Sequence, residues 1–96
     1  MGVQFDWDCR MAAANAEKHG VTFEEAQTVF YAPLARVFED EAHSHAEERE
    51  IIIGRSAMGR LLLVYFVERE LWSVRIISAR AATRREREDY EENTYR

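Results

Sequence analysis

The chain has 96 residues, 47% of them hydrophobic and 32% charged, a balance that excludes intrinsic disorder and leaves room for one modest core in one domain spanning 1–96. No apolar run approaches the roughly 20 residues that a membrane-crossing helix needs. The net charge is −5, which argues against non-specific nucleic-acid binding by the molecule as a whole.

That average hides an asymmetry. Residues 39–50 hold six acids and one base, whereas residues 75–87 hold five arginines and one acid, Glu86. Twelve of the thirteen bases are Arg, and Lys18 is the sole lysine. A planar guanidinium suits phosphate and carboxylate alike, so a basic surface can exist on an acidic molecule. The other reading of the same run is a solvated face whose arginines pair with nearby acids. Cys9 is the only cysteine, so no internal disulfide forms. Residues 1–6 lack the basic and apolar regions of a signal peptide, and a cytoplasmic protein is expected.

Residues 3–7 alternate apolar and polar side chains and predict a first strand. Asp8 is an N-cap for the Ala-rich helix that follows, and Gly20 supplies its left-handed stop, giving a helix over 8–19. Thr22 and Glu25 form a capping box for a short second helix over 23–31, with Val21 and Ala26 as its staple and Pro33 beyond its end. A weaker strand over 35–39 precedes a polar, acidic loop. Three stronger strands follow, over 49–56, 61–68 and 72–80, the middle one the most apolar and expected at the centre. Their short connections, one through Met58-Gly59, predict an antiparallel meander. Thr83 and Glu86 form a second capping box and open a third helix to about residue 92. That helix is nearly all charged, with little apolar content besides Tyr90, and is expected at the periphery. The fold class is α+β, with helices packed against one face of an antiparallel sheet and the other face left for function.

Several segments in order resemble the BrnT toxins: Phe5-Asp6-Trp7-Asp8, Asn15, residues 18–26, Val29-Phe30, Glu47-Glu48-Arg49, Gly54-Arg55-Ser56, residues 59–62, 75–80 and 83–90. Together they cover nearly the whole chain. The resemblance implies a RelE-like fold, a metal-independent cut in RNA that inhibits translation, no cofactor, and a BrnA-type antitoxin through which operator DNA is contacted. One departure stands out. Where the family usually carries a Lys, three residues after the Asp of its Trp-Asp opening, this chain has Met11, with Arg10 one residue earlier. One residue on a helix rotates a side chain by about 100°. The alternative is therefore a catalytically weakened chain that binds its antitoxin and acts in operon autoregulation.

Metal-free RNA cleavage needs the 2′-hydroxyl aligned, the charge on the phosphorane-like transition state neutralised, and protons moved. Arg75 and Arg80, flanking the last strand, are the candidates for neutralising that charge. Strict alternation would place residues five apart on opposite faces unless a bulge intervenes. Lys18 and His19, at the end of the first helix, are candidate catalytic cations. A helix C-terminus also favours them through its dipole alone. Arg55 shares a face with Ile51 and Ile53 near a strand end and is a candidate for RNA binding, as are Arg84 and Arg85. Tyr90 is the best candidate for base stacking, ahead of Tyr65 and Tyr95. Arg60 reads as a solvated turn residue. His43 and His45, among acids in the 40–48 loop, have no zinc-ligand spacing and read as a solvated loop rather than a metal site.

Overall fold

The computed structural model describes residues 2–41 and 48–94. The elements run β1 (Gln4–Asp6), α1 (Cys9–His19), α2 (Phe23–Thr28), β2 (Arg36–Glu39), β3 (Arg49–Arg55), β4 (Leu61–Glu68), β5 (Ser73–Ala81) and α3 (Arg84–Thr94), with a turn of 3-10 helix, Val29–Tyr31, continuing α2. Local chemistry sets the boundaries. The Asp8 carboxylate accepts hydrogen bonds from the backbone N–H groups of Arg10 and Met11, at 2.8 and 3.1 Å. Gly20 ends α1 at φ 68°, donating its N–H to Ala16, a conformation that costs glycine little.

The five strands form one sheet in the order β1-β5-β4-β3-β2. Strands β2 to β5 are the expected antiparallel meander with β4 at the centre. The sheet is nevertheless mixed, because β1 pairs parallel with β5 along Ser73 to Arg75. Past the end of β1, Asn15 of α1 occupies the same edge of β5. Its side chain donates to Ala79 O at 2.8 Å and accepts from Ala79 N at 3.0 Å, while also donating to Val21 O. A buried amide thus completes the ladder where a strand is missing.

Both faces of the sheet are covered, which corrects the expectation that one face is left open. On one face, Phe23, Ala26 and Val29 pack with Ile52, Leu62, Val64, Phe66 and Ile76. On the other, Tyr90 of α3 packs with Ile51, Ile53, Leu61 and Leu63. Burial on both sides explains why β3 and β4 read as nearly continuous apolar runs. The charged third helix is peripheral, as its composition implies, but its one aromatic anchors it to the sheet.

One irregularity decides where the two candidate arginines of β5 point. Tyr65 pairs with Ser78 whereas Phe66 pairs with Ile76, so Ile77 is an extra residue in β5. Arg75 lies opposite Val67 and Arg80 opposite Leu63, two β4 positions on the same face. The bulge at Ile77 therefore places Arg75 and Arg80 together on the α3 side, despite their odd separation.

Candidate functional site

The α3 side of the sheet carries arginines from β2, β3 and β5. Arg80 is held most firmly. Its two terminal nitrogens bond the two carboxylate oxygens of Glu86 at 2.7 and 2.8 Å, and one of them also reaches the Tyr65 hydroxyl at 3.4 Å. Hydrogen bonding to Arg80 holds the Glu86 carboxyl down at about 2, helped by Thr83 and opposed by burial. Glu86 in turn pushes the Arg80 guanidinium above its ordinary value. Two of the five N–H donors of Arg80 go to Glu86, and two more make long contacts, at 3.4 Å, with Ala81 O and the Tyr65 hydroxyl, so the carboxylate fixes the fork.

Arg75 donates to Asp6 of β1 at 3.0 Å. Arg55 reaches Glu91 of α3 at 3.3 Å, and Arg36 of β2 donates to Asn93 O at 3.2 Å. Arg55, Arg75 and Arg80 thus share one face, and each meets a carboxylate. Beside them, between α3 and strands β2 to β4, lies a cavity of about 350 Å³ bordered by Tyr65, Glu86 and Tyr90.

Other expected residues lie elsewhere. Lys18 and His19 are exposed at the C-terminal end of α1, the helix that packs on the opposite side of the sheet, and the structure does not bring them to Arg75 and Arg80. Met11 and Arg10 are exposed on the same helix. Arg84 and Arg85 are exposed in the first turn of α3, and Arg84 has Glu88 at 3.6 Å. Tyr90 is corrected outright: it is 4% exposed and its hydroxyl donates to Leu34 O at 2.8 Å, so it is a core side chain and cannot stack on a base. Tyr95, His43 and His45 lie outside the described residues. Among those described, no three His, Cys, Asp or Glu side chains are grouped as metal ligands.

Arg60 is a second correction. Instead of pointing into water, it donates to both oxygens of Glu25 and to Gly20 O. Glu25 also accepts from the Ser56 hydroxyl at 2.7 Å. Hydrogen bonding to Arg60 pulls the Glu25 carboxyl below its ordinary value, against the opposing effect of burial. This clamp ties the β3–β4 turn to α2 and to the end of α1. Sequence reasoning also left Asn15 without a structural role. Its signal was a polar amide inside an otherwise Ala-rich helical stretch.

The description "ribonuclease toxin, BrnT, of type II toxin–antitoxin system" belongs to the family model that matches residues 7–86. The chain belongs to the BrnT family. The match runs from Trp7 to Glu86 and so takes in Arg55, Arg75, Arg80 and the carboxylate that holds Arg80. The crystal structure of the Brucella abortus ribonuclease toxin BrnT is similar, with a TM-score of 0.66 at 24% identity over 85% of this chain and 99% of that chain; this establishes a BrnT-like α+β fold. No curated protein matches the chain. A toxin of a type II system implies an antitoxin as partner.

Proposed function

We propose that this BrnT chain is an endoribonuclease that cleaves RNA on the sheet face carrying Arg75 and Arg80, without a metal or other cofactor, and that inhibits translation in the cytoplasm. The carrying observation is the β5 bulge at Ile77, which turns both arginines to one face. In this reading the Arg80 guanidinium, already oriented by Glu86, meets the scissile phosphate and offsets the charge that grows as the 2′-hydroxyl attacks. A donor fixed before reaction spends nothing on reorientation. Arg75 binds an adjoining phosphate in exchange for Asp6, since an exposed ion pair of this kind holds by only about 0–1 kcal/mol. The Tyr65 hydroxyl is the proton-carrying group that the geometry puts beside Arg80. Arg55 extends the phosphate path, and Arg84 and Arg85 contact RNA farther along. Lys18 and His19 serve RNA or antitoxin away from the reacting centre. A BrnA-type antitoxin neutralises the toxin, and operator DNA is reached through it.

Two observations favour a second reading, a catalytically weakened module whose main work is antitoxin binding and operon autoregulation. Met11 stands where the family usually has Lys, and Arg55, Arg75 and Arg80 each meet a carboxylate. One assay separates the two. Digestion of single-stranded RNA in EDTA should proceed with the wild-type chain, fall at least about 100-fold with Arg80→Ala, as for other transition-state donors, and fall less with Arg75→Ala, which removes a binding contact. No cleavage by wild type, with cleavage gained in Met11→Lys, supports the weakened module instead.

A further inference from the structure

Strand β2 ends the sheet, and among the described residues nothing pairs with its outer edge. Asp40 N donates to Arg49 O at 2.8 Å, and Glu39 lies opposite Glu50. The alternation of an antiparallel ladder then turns the backbone groups of Phe38 toward β3 and those of Val37 and Glu39 outward. Edge strands are commonly guarded by Lys, Pro or a bulge. This one instead shows Val37 at 52% and Phe38 at 47% exposure, and its cation, Arg36, is drawn off to Asn93 O.

Those two side chains border different cavities. Val37 lines one of about 630 Å³ on the α1–α2 side, with Phe30, Phe66 and Trp72. Phe38 lines the cavity of about 350 Å³ on the α3 side, with Ile51 and Tyr65. Successive side chains of a strand point to opposite faces, so a strand laid along β2 would fill the two cavities in turn. Acids outnumber bases on each border: Glu68 and Glu70 with Arg69 on the first, Glu86 and Asp89 with Arg36 on the second. Burial and the negative charges of Glu68 and Glu39 raise the Glu50 carboxyl above its ordinary value, a crowding that an incoming cation relieves.

We propose that the antitoxin adds a strand to the outer edge of β2, with apolar side chains alternating into the two cavities and Lys or Arg side chains set against Glu68, Glu70 and Glu86. Main-chain bonds supply affinity in such an addition and the cavities supply selectivity. The proposal rests on membership of a toxin–antitoxin family and not on where RNA is cut. It also gives inhibition a physical route, because the smaller cavity borders Tyr65 and Glu86, the two side chains that hold Arg80.

The test uses the full chain and its purified cognate antitoxin. Val37→Pro removes an outward N–H without touching the β2–β3 ladder, which an edge strand accepts. Glu68→Lys with Glu70→Lys reverses the exposed acidic border. Each should weaken antitoxin binding by about tenfold or more at low salt, the charge reversal losing its effect as salt rises, while the melting temperature and RNA cleavage stay at wild-type values. Antitoxin should also slow amide exchange at Val37 and Glu39. Wild-type affinity in both variants, or no protection at those two amides, overturns the proposal. So does a Val37→Pro variant that changes only self-association of the free toxin, since the edge would then serve a second copy of the chain.

Discussion

Glu25 and Glu86 each stand three residues after a threonine that caps a helix, Thr22 before α2 and Thr83 before α3, and each binds an arginine of the strand region. Their surroundings differ. Glu86 closes its capping box, accepting the Thr83 N–H at 2.9 Å while it grips Arg80. In the other box Thr22 accepts the Glu25 N–H at 3.1 Å, but the Glu25 side chain turns away to Ser56 and Arg60. Glu25 is 8% exposed and sits on the side of the sheet filled by the larger core. Glu86 has a side chain 31% exposed and stands beside a cavity that opens to solvent. The same local motif serves as a buried fastening in one place and, beside the α3 cavity, as a half-buried holder of a guanidinium.

If that distinction is right, perturbing the buried clamp should cost most. Glu25→Ala leaves Arg60 without its carboxylate and Ser56 without its acceptor. A loss of about 2–4 kcal/mol in denaturant unfolding is expected, as for breaking a partly buried charged network. Asn15→Leu strands the N–H and C=O of Ala79 and should cost about 2 kcal/mol. It should also loosen the bulged part of β5, with faster amide exchange at Ser78 to Arg80 as the check. Glu86→Ala should cost only about 1 kcal/mol, since it removes a half-exposed pair and a cap. A finding that Glu86→Ala is as damaging as Glu25→Ala would erase the contrast.

Acid sharpens the comparison. Both carboxyls are depressed in the folded chain, so their contribution to stability is full above the ordinary carboxyl value of 4.5 and fades as pH falls below it. For Glu86 that loss extends from about 4.5 down to about 2. Urea melts between pH 5 and 2 should show a shallower decline in Glu86→Gln than in wild type. The smallest expected effect is at the surface: Arg84→Ala removes a pair 92% and 64% exposed and should shift stability by less than about 0.5 kcal/mol.

Much of the frame was legible because it is written in local signals. Asp8, Gly20 and the Thr83–Glu86 box mark helix ends within a few residues, and the apolar runs at 51–53 and 61–67 mark buried strands. What escaped depends on pairing between distant residues. The bulge at Ile77 sits in Arg-Ile-Ile-Ser-Ala-Arg, which has no glycine or proline to announce it, and it arises from register against β4. Arg60 looked like a turn residue because its partner lies 35 positions away. Lys18 and His19 were legible as helix-end cations, but the layer on which α1 packs is a tertiary fact. Tyr90 stood out on a polar helix, and that isolation marked an anchor instead of an exposed platform. The parallel pairing of β1 carries no signal in a strand of three residues.

Arg60 and Arg80 give the most direct test, because each is held by a capping glutamate and they lie in the two contrasting regions. Initial rates of RNA cleavage in EDTA, corrected for the folded fraction of each protein, should fall at least about 100-fold in Arg80→Ala and stay within about twofold of wild type in Arg60→Ala. Equal loss in both, or full activity in Arg80→Ala, would contradict an RNA-cleaving surface on the α3 side of the sheet.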